Sequence, residues 1–174
     1  MPMPVSQTGG KTSMKTIDVH TELPTTADAV WQAMQHAASF LYVNRGLFGF
    51  PALAGRTAPV REGEKVTGWI MLFHLIPLWR HTIGVVEVDQ ATRTLRSRER
   101  GGILRAWNHT LHVEPVDGQH CRYSDTVDID AGPWTGLVAA AAVWIYRYRQ
   151  RRWHRLVGNH LLPAGPRYSP PADT

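Results

Sequence analysis

WTGLVAAAAVWIYRYRQRRWHRLVGNHLL, Trp134 to Leu162, decides the fold. Its first half is small and apolar; its second is basic and aromatic. The spacing predicts one long C-terminal helix, with Val138, Ala141, Ala142, Ile145, Tyr148, Arg152 and Leu156 along one stripe. Arg147, Gln150, Arg151 and His154 take the opposite face. The alanines let such a helix approach a sheet closely, and basic residues near its C-terminus complement its dipole. Arg147, Arg149, Arg151, Arg152 and Arg155 form the one dense basic run, interleaved with Tyr146, Tyr148 and Trp153. One reading is contact with an anionic membrane surface or nucleic acid. The other is a solvated helix end whose arginines cover the sheet edge and pair with carboxylates such as Glu99 or Asp128. Arg149 and Arg152 lie nearest the buried stripe and suit internal pairing.

Upstream of this helix the chain reads mostly as strands. Met14 to Leu23 alternates, with Ile17, Val19, Thr21 and Leu23 on one face, and Pro24 ends it. Thr25 or Thr26 caps a helix from Ala27 to Gln35, and Asp28 suits its positive end. A second short helix follows from His36 to Tyr42. Asn44 to Gly55 mixes glycines with Leu47, Phe48, Phe50 and Leu53. Loops normally face water, so this apolar one is read either as a lid or cavity lip or as a loop simply packed on the core. From Pro59 to Asp130 strand follows strand: Lys65–Ile76, a break or bulge at Pro77 and Leu78, Trp79–Asp89, Arg93–Arg100, Ile103–Glu114 and Cys121–Asp130. Short turns between them make an antiparallel meander. Residues 1–13 are expected to be a disordered leader, 14–162 one domain, and 163–174 a disordered Pro-rich tail.

The composition suits a globule: of 174 residues, 43% are hydrophobic and 19% charged. Seven Trp suit a core or a pocket wall. A net charge of +5 is modest, and no nucleic-acid partner is expected from it. The single cysteine, Cys121, excludes an internal disulfide and a Cys-based zinc site. The leader lacks the apolar core of a secretory signal, and the longest apolar run, Leu137 to Tyr146, is far short of the roughly 20 residues of a membrane span. A cytoplasmic protein is expected. His109 and His112 face opposite ways on a strand and cannot share a metal. No HExxH, P-loop, GxSxG or Rossmann glycine pattern occurs, so no metal and no cofactor is expected.

The order of elements resembles the helix-grip fold of the START-like superfamily, also called SRPBCC or Bet v 1-like. The local likeness lies in TTADAVWQAM (25–34), EGEKVTG (62–68), the Arg-Tyr-Ser-Asp run from Arg122 to Asp125, and the helix end RYRQRRW (147–153). It covers roughly Met14 to Leu162. The resemblance implies an α+β fold: a curved antiparallel sheet of about six to seven strands around the long helix, with two short helices after the first strand. It also implies a cavity between helix and sheet for a hydrophobic small molecule: lipid, quinone or polyketide-like. Superfamily members include carriers and polyketide aromatases/cyclases, so both binding protein and cyclase-like enzyme stay open. The superfamily shares a cavity rather than a chemistry.

Strand parity names the inward side chains. Leu111 and Val113 put Arg105, Trp107 and His109 on the inner face. Val127 and Ile129 put Tyr123 and Asp125 there. Leu95 puts Glu99 inside, provided the Gly101-Gly102 hairpin has an odd register; a plain two-residue turn sends Arg96 and Arg98 in. His81 follows Ile83 and Val85, against the opposing pull of Val86 and Val88. These polar groups form a predicted cluster that must pair internally, because unpaired buried charge is costly. It is either a satisfied network or a set that orients a ligand; His109 and Asp125 are the catalytic candidates. The apolar wall is assigned to Trp31, Phe48, Phe50, Trp69, Phe73, Trp79 and Trp107. From the helix it takes Leu137, Ala141, Trp144, Ile145 and Tyr148.

Overall fold

The computed structural model describes residues 14–159, 161 and 162. The expected leader and Pro-rich tail fall outside the described residues. Seven strands form one curved sheet in the order β1-β7-β6-β5-β4-β3-β2. They are β1 (Lys15–Leu23), β2 (Phe48–Gly49), β3 (Lys65–Leu72), β4 (Ile76–Asp89), β5 (Thr94–Gly101), β6 (Leu104–Pro115) and β7 (Cys121–Asp130). All neighbours are antiparallel. Two short helices, α1 (Ala27–Met34) and α2 (Ala37–Asn44), follow β1, and the long helix α3 (Thr135–Gly158) closes the chain. This is the helix-grip fold.

Local chemistry explains the joints. Thr26 caps α1 by accepting from the Ala29 N–H at 3.3 Å. Thr135 starts α3 by donating to Gly132 O at 2.7 Å while accepting from Ala131 N at 3.0 Å. The expected apolar loop is partly ordered: Phe48–Gly49 pairs with β3, and Pro51–Leu53 is a 3-10 turn. Gly68 of β3 lets that turn approach, since a Cβ there would sit 2.5 Å from Ala52 Cβ.

The expected strand from Lys65 to Ile76 is corrected in its extent, while the bulge expected as one outcome at Pro77 and Leu78 is found. The turn falls at Phe73 and His74, both in the left-handed region (φ 50° and 63°), rather than at Pro77. It is held from outside: Phe73 N donates to Leu47 O at 2.8 Å and Gly46 N to His74 Nε2 at 3.3 Å. Pro77 lies inside β4, where the register slips between Ile70 and Met71. Proline has no N–H for the ladder, so a bulge absorbs it. A second irregularity between Val85 and Glu87 settles the conflict over β4: His81, Ile83 and Val85 face inward before it, and Val88 packs on the core after it.

The core has two parts. Under α1, Leu23, Trp31, Val113 and Tyr123 pack with Trp153 and Leu156 of α3. Under the first half of α3, Ala139, Ala142 and Tyr146 pack on Ile17, Val19, Val127 and Ile129 of β1 and β7. Between α3 and the strands beyond β7 the space is unfilled.

Candidate functional site: a cavity beside the long helix

The phase of α3 positions the site. Its buried stripe runs Thr135, Ala139, Ala142, Tyr146, Arg149, Trp153, Leu156, in alternating steps of four and three. The expected stripe is displaced by about one residue. Gln150, assigned to the solvent face, is buried and donates to Val19 O at 2.7 Å. Tyr146, Arg149 and Gln150 bear polar atoms, which hid the true stripe from a reading based on apolar spacing. Val138, Ala141 and Ile145 then lie beside the packed stripe and face the cavity.

The main cavity has a volume of about 250 Å³. Phe48 and Phe50 close one side, Trp79 and Trp107 another, and Ala141 and Ile145 the helical side. Trp79 is seated over the β5–β6 turn. Gly102 (φ +57°) makes room for it, since a Cβ there would lie 2.8 Å from the indole. A smaller cavity of about 100 Å³ lies toward Met34, Val60 and Leu95. The two share Phe40, Glu99, His109 and Arg149 as walls.

A polar chain runs from this shared wall into the core. His81 Nε2 meets Glu99 Oε2 at 2.9 Å, and Ser97 donates to Glu99 Oε1 at 2.8 Å. His109 Nδ1 lies 3.9 Å from Glu99, while its Nε2 meets Asp125 Oδ1 at 2.9 Å. Tyr123 donates to the same Asp125 oxygen at 3.0 Å, and Gln150 approaches Oδ2 at 3.5 Å. Glu99 is inside because β5 and β6 slip register between Glu99 and Gly101, pairing Glu99 with Trp107 and Ser97 with His109. Burial alone pushes the Glu99 carboxyl up, but the His81 hydrogen bond, the two imidazoles and Ser97 outweigh it and hold its pKa below the usual range. Burial, then the Asp125 charge, pushes the Tyr123 phenol well above its ordinary value.

The structure thus gathers Phe48, Phe50, Trp79, His81, Glu99, Trp107, His109, Ala141 and Ile145 on the cavity wall. Other assigned residues go elsewhere. Trp31 and Tyr123 belong to the core under α1; Trp31 donates to Gln90 at 2.6 Å and Tyr123 packs on Trp153. Asp125 is fully buried behind His109 and reaches the cavity only through it. Trp69 is exposed, because parity turns Ile70 inward, and Phe73 sits exposed at the hairpin tip. Arg105 is exposed beside Arg98 and Asn108. The slip at Gly101 turns Leu104, not Arg105, to the cavity, which spares an unpaired charge there. Leu137 and Trp144 are exposed by the phase of α3, and Tyr148 instead donates to Arg45 O at 2.7 Å.

The sequence reading did not assign Phe40, Ile70, Leu104 or Tyr146 to the wall. The heptad-like spacing of α3 is the signal that finds Tyr146. The arginine run divides. Arg149 is buried and Arg152 donates to Tyr42 O at 3.2 Å, while Arg147, Arg151 and Arg155 are exposed. The expected pairing with Glu99 or Asp128 is not formed: Glu99 is bonded to His81 and Ser97, and Asp128 accepts from Thr16. No helix among the described residues is long and apolar enough to cross a membrane.

The family model for a domain of unknown function, DUF8410, matches residues 21–157. The chain belongs to the DUF8410 family. Among curated proteins none matches the sequence. Solved structures show where the DUF8410 fold recurs. Norcoclaurine synthase from Thalictrum flavum, in complex with dopamine and hydroxybenzaldehyde, is 13% identical with a TM-score of 0.64, over 92% of this chain and 98% of that one. A START superfamily protein from Mycobacterium smegmatis is 10% identical with a TM-score of 0.59, over 83% and 98%. The ZhuI aromatase/cyclase from Streptomyces sp. R1128 is 13% identical with a TM-score of 0.53, over 85% and 93%. The fold of this DUF8410 protein is that of the START-like, or SRPBCC, superfamily.

Proposed function

We propose that the protein binds and carries a hydrophobic small molecule, lipid, quinone or polyketide-like, inside the cell. The observation that carries this reading is the aromatic-walled cavity of about 250 Å³ between α3 and the inner face of the sheet. Small-molecule pockets run from roughly 300 Å³ upward, with apolar walls and a few placed polar groups. At about 250 Å³ this cavity falls just below that range, so it suits a compact guest or the inserted end of a longer one. Each Å² of apolar guest surface withdrawn from water contributes about 25 cal/mol.

A second reading, a cyclase-like enzyme in the same cavity, is favoured by one feature. His81 bonds Glu99 through Nε2, while its Nδ1 is buried without a partner. An imidazole paired with a carboxylate on a cavity wall is an arrangement that general acid–base catalysis uses. Two solved structures of this fold are named synthase and aromatase/cyclase. One experiment separates the readings. Native mass spectrometry of protein purified from its own host is expected to show a bound apolar molecule; protein that is always empty would sink both. That molecule is then isolated and offered again to ligand-free protein. A carrier returns it unchanged in mass, whereas a cyclase that dehydrates its substrate returns product lighter by one water.

A further inference from the structure

We infer that the cavity takes a guest with an anionic head, a carboxylate or comparable oxyanion, seated on Arg149. This rests on the small-molecule reading above and adds the guest's chemical class.

Arg149 is only 6% exposed and lines both cavities. It forms no hydrogen bond and no ion pair with any described residue, and its buried Nε is without a partner. Its contacts are aromatic faces: the guanidinium carbon lies 4.7 Å from the Tyr146 ring centroid and 5.7 Å from that of Phe40. Stacking on a ring engages the flat face of a guanidinium and leaves its edge N–H groups free to receive a carboxylate side-on. The charge stays on. Burial opposes the charge on Arg149, but a guanidinium does not deprotonate near neutral pH, and the carboxylates of Asp125 and Glu99 support it. A buried cation with unmet donors is costly unless something supplies acceptors.

The protein does not supply them. Glu99 and Asp125 face the same region, but their oxygens are engaged by His81, Ser97, His109, Tyr123 and Gln150. Trp79 Nε1 is also buried and unpartnered, but its ring is pressed on the Gly101-Gly102 turn, so the demand at the cavity comes from Arg149. The unmet guanidinium donors ask for a guest that brings acceptors. Water or a neutral carbonyl could serve as an acceptor, but a carboxylate fits both free edges of the fork and adds a charge-assisted bond, against the opposing fields of Glu99 and Asp125. The flat walls at Trp79 and Trp107 favour an aromatic body behind that head.

The test uses two probes of one shape, β-naphthoic acid and its primary amide, titrated calorimetrically into the full chain near pH 7, where only the acid is charged. The acid is expected to bind at least about ten-fold more tightly than the amide. Arg149→Met should remove that gap while leaving the amide's affinity within about two-fold. Arg149→Lys, which keeps the charge but loses the planar fork, should narrow the gap without closing it. Equal binding of the two probes to the native protein overturns the anionic seat and leaves the cavity reading standing. A gap that persists in Arg149→Met also overturns it. Should that variant not fold, the native ratio and Arg149→Lys decide. If neither probe binds, the cavity reading fails and the anionic seat falls with it.

Discussion

Glu99 is the residue on which the polar chain turns. It accepts from Ser97, meets His81, and lies within ion-pair reach of His109. Its carboxyl is held below its ordinary value of 4.5, because these partners outweigh the burial that raises it. A depressed carboxyl pKa contributes stability that is present above the unfolded value and is lost as pH falls through the folded one. Glu99 therefore stabilises the protein at neutral pH, and that contribution disappears below about pH 4.5. Glu99→Gln should lower the melting temperature at neutral pH and flatten its decline in acid. Melting curves from neutral pH down to about pH 3 check this. Parallel curves for the native and Gln proteins across that range would show that Glu99 takes no part in the acid transition. His109, Asp125 and Tyr123 lie deeper, and parity alone placed all three on the inner face. Parity did not tell inner face from cavity wall, because that depends on what packs above each strand. Trp153 and α1 cover Tyr123, whereas His81 borders the cavity.

At the scale of elements, α3 carries two neighbouring stripes with different jobs. Ala139, Ala142 and Tyr146 pack on β1 and β7, while Val138, Ala141 and Ile145 border the cavity. Ala141 is itself exposed, so the cavity meets solvent along this edge of the helix. Ala141→Phe puts a ring at that opening without entering the packed stripe. Surface substitutions of this kind usually change stability by no more than about 0.5 kcal/mol, so the variant should fold normally. Its affinity for a cavity ligand should fall by about ten-fold or more, read by the same calorimetric titration. Undiminished binding would place the route to the cavity elsewhere, for example past Phe48 and Phe50. That a long helix closes a meander was legible from Ala139–Ala142 and from the strand periods upstream. The helix phase was not, since Arg149 and Gln150 are buried despite their polar atoms: Gln150 bonds Val19, and Arg149 lines the cavity. The turn at Phe73 was hidden for a similar reason. It is set by Leu47 and Gly46, far away in sequence, and not by the nearby proline.

The whole molecule sets a limit on how a guest can enter. A cavity between helix and sheet fills either through a local opening or by the helix leaving the sheet, and these differ in how much of the core they expose. Cys121 distinguishes them. It is the single cysteine, at the start of β7, paired with Leu23 of β1 and Pro115 of β6, and fully buried in the core under α1. Burial pushes its thiol up to about 11, so little thiolate exists at neutral pH even where reagent could reach it. The second half of α3 covers this core with Trp153, Leu156 and Val157. If guests enter past Ala141, ligand exchange leaves that core shut, and Cys121 reacts with a disulfide reagent only when the protein unfolds globally. Labelling should then be slow in buffer. With rising urea it should follow the same transition as tryptophan fluorescence, as expected for one cooperative unit. If α3 lifts away to admit its guest, labelling in buffer should instead be fast and independent of global stability, and bound ligand should slow it in proportion to occupancy. Rapid, ligand-sensitive labelling would therefore replace the picture of a fixed container with one in which the long helix is itself the door.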